Sequence, residues 1–375
     1  MTIETVSAKD LRRVMTERLV TNGALRSEPW KRAFASVPRE DFVQGFAVRA
    51  KGTKHEYKPG DPAWLPAVYT DASLLTQTDA AGTTTSSSSQ PTVMAHMLEA
   101  LDAEDGDSVL EAGLGTGYNA ALLSHRFGSD RVFSMDVDPV LVGTAAACLH
   151  SAGFTPTVTT RDGMTGWPEH APYDRLIATF GVPRVPTAWI DQVRPGGVIV
   201  ANLGCGIVRL KVDDKGRASG RFLPILATFM VARPAADTVS TRAKQHIEAI
   251  MSACGESRAI DLPSNLGSQE QQFLPALAQP GVTDITLIND AGEETLCLFH
   301  AETGSWARLS SLGVRRARLD HGGPRDLWAE RYPLLTHWAI NGRPGPQRYG
   351  LTIEADGAHT LWLDDRDGES FTLGA

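Results

Sequence analysis

The residues best suited to chemistry lie between Val109 and Asp138, in VLEAGLGTGYNAALLSHRFGSDRVFSMDVD. Glu111 stands just before a glycine-rich turn, Gly113-Leu114-Gly115-Thr116-Gly117, and Asp136 closes the apolar run that follows. Glycines carry no Cβ, so the backbone can turn sharply there and approach a ligand closely. An acid ending a second strand can accept hydrogen bonds from two ribose hydroxyls. The spacing G-x-G-x-G is tighter than the G-x-G-x-x-G of dinucleotide sites. A carboxylate at Glu111 would repel a pyrophosphate and attract a cation. These residue types fit a nucleoside with a positive charge, and the sulfonium of S-adenosyl-L-methionine meets that description. Tyr118 and Val137, beside the loop and the acid, join the expected cofactor set.

Such residues need a strand, a helix and a second strand to bring them together. Ser108-Val109-Leu110 reads as the first strand, Tyr118–Leu123 as the start of a helix, and Val132–Met135 as the second strand. Upstream, residues 8–22 form an amphipathic pattern with Leu11, Val14, Met15 and Leu19 on one face, and Glu28–Ala35 reads as another helix. Residues 50–90 are expected to be loop-rich, ending in Thr83–Ser89, and a helix is expected at Thr92–Leu101. Downstream, helices are expected near Pro139–Ala152 and Thr187–Val193. Strands are expected at Thr157–Thr160, Arg175–Thr179, Val198–Leu203 and Arg221–Val231, with a tight turn at Pro195-Gly196-Gly197. This alternation predicts an α/β fold with a doubly wound, mostly parallel sheet. The character changes near 232–240, which predicts two parts, 1–232 and 240–375. The later part is either a second domain or an α+β elaboration packed on the first. Tyr349–Ile353 and Thr360–Leu363 read as a hairpin. Trp306, Trp328, Trp338 and Trp362 are expected in a core, and Arg315, Arg316 and Arg318 on a solvated face.

The 375 residues, 42% hydrophobic, are enough for about two domains. A net charge of -8 and no long basic tract argue against nucleic acid as partner. Cys148, Cys205, Cys254 and Cys297 are too scattered for a zinc site or a disulfide framework, so no metal is expected and reduced thiols in the cytoplasm are. No apolar stretch is long enough to span a bilayer, so no membrane partner is expected.

From Val37 to about Val231 the chain resembles the protein-L-isoaspartate (D-aspartate) O-methyltransferases. The resemblance rests on an ordered set: Val37–Val43 (VPREDFV), Tyr69-Thr70-Asp71-Ala72-Ser73-Leu74, Ser88-Ser89-Gln90-Pro91, Leu110–Tyr118 (LEAGLGTGY), Ser134–Asp138 (SMDVD), Asp162-Gly163, Gly166–Asp174 (GWPEHAPYD) and Arg194–Gly197. It implies the class I methyltransferase fold with an N-terminal helical segment, S-adenosyl-L-methionine as cofactor and S-adenosyl-L-homocysteine as product. It also implies residue roles. Gly113, Gly115 and Gly117 would lie under the methionine moiety, Asp136 would hold the ribose, and Asp162 the adenine amino group, with Gly163 allowing close approach. Ser89 would be the active-site serine beside the acceptor carboxylate, and Ser86, Ser87 and Ser88 would form the loop over the cofactor. An ionised carboxylate needs no general base at neutral pH, so alignment and exclusion of water are the tasks left to the protein.

Two features depart from the family pattern. Ser87 and Ser88 replace a threonine and an isoleucine, making a more polar, more flexible run. Thr179-Phe180-Gly181-Val182-Pro183 stands where an alanine-rich element is usual, so Thr179, Phe180, Val182 and Pro183 are expected near the acceptor. With the long C-terminal part, these departures point to a branch that esterifies an aspartate in a ribosomally made, often cyclised peptide, whose ester then closes to an aspartimide. The alternatives are repair of isoaspartate in damaged proteins, and a cofactor-binding partner protein without catalysis.

Overall fold

The computed structural model describes residues 6–50, 53–80, 82–232, 250–262, 269–289, 291–313 and 315–373. Strands β1 (Phe46–Ala50), β2 (Thr53–Tyr57), β3 (Leu74–Thr78) and β4 (Thr84–Ser88) make a small antiparallel sheet, ordered β2-β1-β3-β4. The next seven are β5 (Val109–Ala112), β6 (Val132–Asp136), β7 (Thr157–Thr160), β8 (Tyr173–Val182), β9 (Val193–Leu203), β10 (Gly206–Val212) and β11 (Ala218–Leu226). Then come β12 (Glu256–Asp261), β13 (Val282–Ile288), β14 (Glu294–His300), β15 (Ser305–Ser311) and β16 (Arg316–Gly322), which form their own antiparallel sheet, ordered β12-β16-β15-β14-β13. The last three, β17 (Tyr349–Ile353), β18 (His359–Leu363) and β19 (Ser370–Thr372), return to the central sheet. Its order is β19-β18-β17-β11-β10-β9-β8-β5-β6-β7.

The half of this sheet from β7 to β9 is parallel, as the β–α alternation predicts. β6 follows β5 on one side and β8 joins it on the other, so the chain reverses at the β5/β8 boundary. A ligand crevice is expected outside the carboxyl ends of strands at such a reversal. Each residue of β5 is fully buried, because helices cover both faces. Val109 faces a core shared with the helices Pro91–Ala100 and Tyr118–Phe127, whereas Leu110 and Ala112 face a core containing Trp189 and Ile190 of the helix Thr187–Gln192. Burying each large apolar side chain contributes roughly 1.5–3 kcal/mol. The helix Pro139–Ser151 starts where it does because Asp138 accepts hydrogen bonds from the Val140 and Leu141 amides and Pro139 supplies a preset φ at its first turn.

Three local expectations change. Residues 50–90 are not mainly loop: three strands and the short helix Trp64–Val68 lie within them, and the serine run is β4. Ser86 and Ser88 turn inward along it, pinned by β3, so the tract is held rather than flexible. Pro195-Gly196-Gly197 is a bulge within β9 rather than a turn before it, where the register with β8 slips between Tyr173 and Arg175. The expected strand Arg221–Val231 ends at Leu226, and the chain then leaves the sheet until Val231 bridges to Gly181.

The expected boundary near 232–240 falls on residues outside those described. Beyond it the chain divides. Residues 256–322 build the five-stranded sheet, while β17 pairs antiparallel with β11 and extends the central sheet. Phe273, Leu274 and Leu277 of the helix Gln269–Ala278 enter the same core as Phe222 and Tyr349. Trp306, Trp328, Trp338 and Trp362 are all buried, and Arg315, Arg316 and Arg318 are exposed, as expected.

Candidate functional site

A cavity of about 640 Å³ opens at the carboxyl ends of β5, β6 and β8. The sheet supplies its floor and the serine strand β4 its lid. Thirteen of the residues singled out from sequence line it: Ser86, Ser87, Ser88 and Ser89 on one side, Gly113, Gly115, Tyr118, Asp136, Val137, Asp162 and Gly163 on the other, with Thr179 and Phe180 at the end of β8.

Gly113 has a φ of +102°, and a Cβ there would run into Thr179 Oγ1, which donates to the Gly113 carbonyl. At Gly163 a Cβ would come within 2.7 Å of the Phe180 ring. The Phe180 ring thus lies between the two glycine positions, with its edge toward Trp189 at a centroid distance of 6.1 Å. At Gly115 a Cβ would project toward the Ser87 carbonyl, 3.7 Å away, across the gap between loop and lid. Asp136 Oδ2 accepts from the Gly115 amide at 2.9 Å, which locks the loop to the end of β6. A carboxylate oxygen has a second acceptor site, so Asp136 can still bind a hydroxyl. Asp162 is exposed, and its Oδ1 caps a short 3-10 turn by accepting from the Met164 amide.

Four expected residues do not line the cavity. Glu111 is wholly buried beneath the loop, where its carboxylate accepts from Asn119 Nδ2 at 2.7 Å and Ser134 Oγ at 2.5 Å. Burial pushes its pKa up to about 7, against the pull of those two hydrogen bonds. Its neighbour Asn119 lines the cavity instead. Gly117 begins the helix Tyr118–Phe127, with its Cα packed toward Ala145. Val182 and Pro183 also fall outside the lining: Val182 is buried in the core and Pro183, just past the end of β8, is exposed.

The serines divide by function. Ser88 Oγ accepts from the Arg39 guanidinium, and Ser86 Oγ accepts from Thr76 Oγ1 at 3.3 Å. The Ser89 hydroxyl has no hydrogen-bond partner among the described residues and borders the cavity. The buried Tyr118 hydroxyl likewise has none.

Sequence reasoning missed one wall altogether. Residues 226–232 cross the cavity mouth, held by Asn202. Asn202 donates to the Ala227 carbonyl at 2.7 Å and accepts from the Phe229 amide at 3.3 Å, and the Gly181 amide donates to Met230 O at 2.8 Å. A lone asparagine in the otherwise apolar Val198–Leu203 was the available signal. Arg39 lies in the Val37–Val43 element, to which the sequence reading assigned no role; it is fully buried and reaches both sides of the lid's base.

The family model for Protein-L-isoaspartate(D-aspartate) O-methyltransferase matches residues 10–219, more than half of the chain. The chain belongs to that family. Curated relatives of the same name agree. One from Hyperthermus butylicus is 36% identical over 206 residues, covering 52% of this chain and 76% of the relative. One from Anaeromyxobacter dehalogenans is 44% identical over 118 residues, covering 31% of this chain and 56% of its own. A solved structure titled protein-L-isoaspartate O-methyltransferase shares the fold, with a TM-score of 0.55 and 24% identity. The match covers 94% of this chain and 100% of that one. The protein is an O-methyltransferase of the class I fold that uses S-adenosyl-L-methionine. The isoaspartyl resemblance holds, but the narrower peptide-maturation branch gains no support from these matches. No helix among the described residues is long and apolar enough to cross a membrane.

Proposed function

We propose that this methyltransferase esterifies the free carboxylate of L-isoaspartyl residues in proteins or peptides. Ser89 carries the reading: its unpartnered hydroxyl borders the cavity that also holds Gly113, Asp136 and Asp162. The cavity suits the cofactor, because Cβ atoms at Gly113 and Gly163 would close it and Asp136 retains acceptor capacity. Asp136 and Val137 would flank the ribose, Asp162 and Gly163 the adenine, and the glycine loop the methionine portion. The bound cofactor supplies an electrophilic methyl group on sulfur. A C–S bond breaks as a C–O bond forms, so a sulfonium and a carboxylate become a neutral thioether and a neutral ester.

The protein's part is to align and to dry. Ser89 donates to one carboxylate oxygen and leaves the other directed at the methyl group. Leu226–Ala232 and the Phe180 ring exclude water from the nucleophile, which strengthens the charge pairing within the cavity. A second reading, methylation of an aspartate in a constrained biosynthetic peptide, is favoured by one observation. Phe180 places a bulky ring at the cavity in an element where the resembling family carries alanines, so a differently shaped acceptor is expected. Mass spectrometry on two substrates tests the pair. A linear isoaspartyl peptide should gain the mass of one methylene group, and a cyclic aspartyl peptide should not. The reverse pattern would establish the second reading, and Ser89→Ala should lower turnover by about 10²-fold in either case.

A further inference from the structure

Arg39 lies outside every motif to which the proposed chemistry assigns a role. Its guanidinium is completely buried and makes no ion pair among the described residues. It spends its donors on backbone carbonyls from two separate segments. Nη1 donates to Val68 O at 2.9 Å and Thr70 O at 3.2 Å. Nη2 donates to Ser89 O at 3.0 Å, Ser88 O at 3.3 Å and, more distantly, Ala72 O at 3.4 Å. Nε and Nη2 also reach Ser88 Oγ at 3.4 and 3.3 Å. Its carbon lies 5.8 Å from the centre of the Tyr118 ring, which itself lines the cavity.

This is a costly arrangement for a cation. Burial lowers its pKa to about 10, yet it stays protonated at neutral pH. A planar fork of five N–H groups can bind several carbonyls at fixed angles, which a lysine ammonium cannot. The carbonyls it binds belong to the segment 68–72 and to Ser88 and Ser89, the point where β4 ends and the chain turns into the helix Pro91–Ala100. β3 holds β4 along its length, but their register slips twice and the pairing stops at Ser88. The Ser89 backbone lies beyond the last strand pair, Leu74 with Ser88, so ladder hydrogen bonds do not fix it.

We propose that Arg39 is a positioning residue that acts through Ser89: by clamping the Ser88 and Ser89 carbonyls to the 68–72 segment, it sets the direction in which the Ser89 hydroxyl meets the acceptor carboxylate. The inference rests on the assignment of Ser89 as the acceptor-facing serine. It separates Arg39 from the cofactor side of the cavity, since none of its hydrogen bonds reaches the glycine loop, Asp136 or Asp162.

A double-mutant cycle on the full chain decides it. Arg39→Lys keeps the charge and loses the fork. It should reduce kcat/KM on an isoaspartyl peptide about 10-fold, and combination with Ser89→Ala should fall no more than about 2-fold below Ser89→Ala alone. Calorimetry should give an unchanged affinity for S-adenosyl-L-homocysteine. Hydrogen exchange should quicken in 68–72 and 86–92 but not in 111–119. Additive losses, full activity in Arg39→Lys, or weakened S-adenosyl-L-homocysteine binding would each overturn the proposal. If the wild-type protein methylates no isoaspartyl peptide, the function reading fails, and the exchange and calorimetry arms still judge the clamp. Arg39→Met repeats the exchange arm without the charge, and its folding is monitored by its S-adenosyl-L-homocysteine binding.

Discussion

The cavity region and the five-stranded sheet of residues 256–322 solve opposite problems. Around the cavity, polar groups are taken fully out of water and spent on holding loops: Arg39 on carbonyls, Glu111 on Asn119 and Ser134, Asn202 on the segment over the mouth. In the five-stranded sheet the apolar residues Leu298, Leu309 and Leu319 gather on one side with Trp328 of the helix Leu327–Ile340, while Arg258, Arg316 and Arg318 remain at the surface. One region buys fixed geometry with buried polarity. The other rests mainly on an amphipathic sheet backed by helices, with most charges left hydrated and Arg308 as its exception, donating to the Ile250, Met251 and Ala253 carbonyls.

The largest expected effect separates glycines of the two regions. Gly113→Ala adds a Cβ that collides with Thr179 Oγ1, so calorimetry should show S-adenosyl-L-homocysteine binding weakened by at least about 100-fold. Gly304→Ala has a φ of +68° but open space around the new methyl. It should cost only about 1–2 kcal/mol of stability and leave binding intact. Equal losses from both would erase the contrast.

Two glutamates should then tilt stability in opposite directions with pH. Burial raises the Glu111 pKa to about 7, above its ordinary value, so the folded state holds a proton that the unfolded chain has released. Relative to Glu111→Gln, the wild-type protein should lose up to about 3 kcal/mol as pH rises from 4.5 to 7, read by denaturant titration. Arg325 lowers the pKa of Glu330 on the helix Leu327–Ile340, which packs against the five-stranded sheet. Its contribution should be present above the ordinary carboxylate range and fade as pH falls through the lowered value, a trend that Glu330→Gln should abolish. A common tilt for both would mean that burial, and not partnering, governs the two sites alike.

The smallest effect belongs to the exposed arginines. Arg318 reaches Asp320 at 3.1 Å with more than half of its side chain in water. Arg316→Ser and Arg318→Ser together should shift stability by less than about 1 kcal/mol, measured by thermal melting, and leave methyl transfer unchanged. A marked loss of activity on a peptide acceptor would instead make this face part of substrate binding.

The same contrast explains how much could be read in advance. The parallel strands, the glycine loop, Asp136 and Asp162 were legible because periodicity and special residue types mark them locally. The serine tract misled: Thr83–Ser89 has the composition of a linker, and only pairing with β3 makes Thr84–Ser88 a strand. Glu111 misled in the other direction. Its place before the loop was right for a ligand-facing acid, but the pleat of β5 turns it beneath the loop, into contact with Asn119 and Ser134. Val182 and Pro183 were carried along with Phe180, although Val182 packs into the core beyond the cavity and Pro183 lies past the end of β8. The segment over the mouth and the Arg39 clamp depend on contacts between parts of the chain 25 to 50 residues apart, such as Asn202 with Ala227 and Arg39 with Ser89, which no local pattern encodes.

The return of β17 to β11 has a consequence for how the molecule is made. Synthesis runs from the N-terminus, so the strands that build the cavity emerge long before the chain that shields their outer edge. Until Tyr349–Ile353 has been translated, β11 presents an unpaired strand edge, and the intervening five-stranded sheet must be threaded off before it is covered. Such edges are templates for pairing with other chains. A nascent chain stalled within residues 256–322 is therefore a candidate client for chaperones, and a version cut back to the cofactor-binding part would keep its glycine loop and Asp136 yet carry an open edge that favours aggregation.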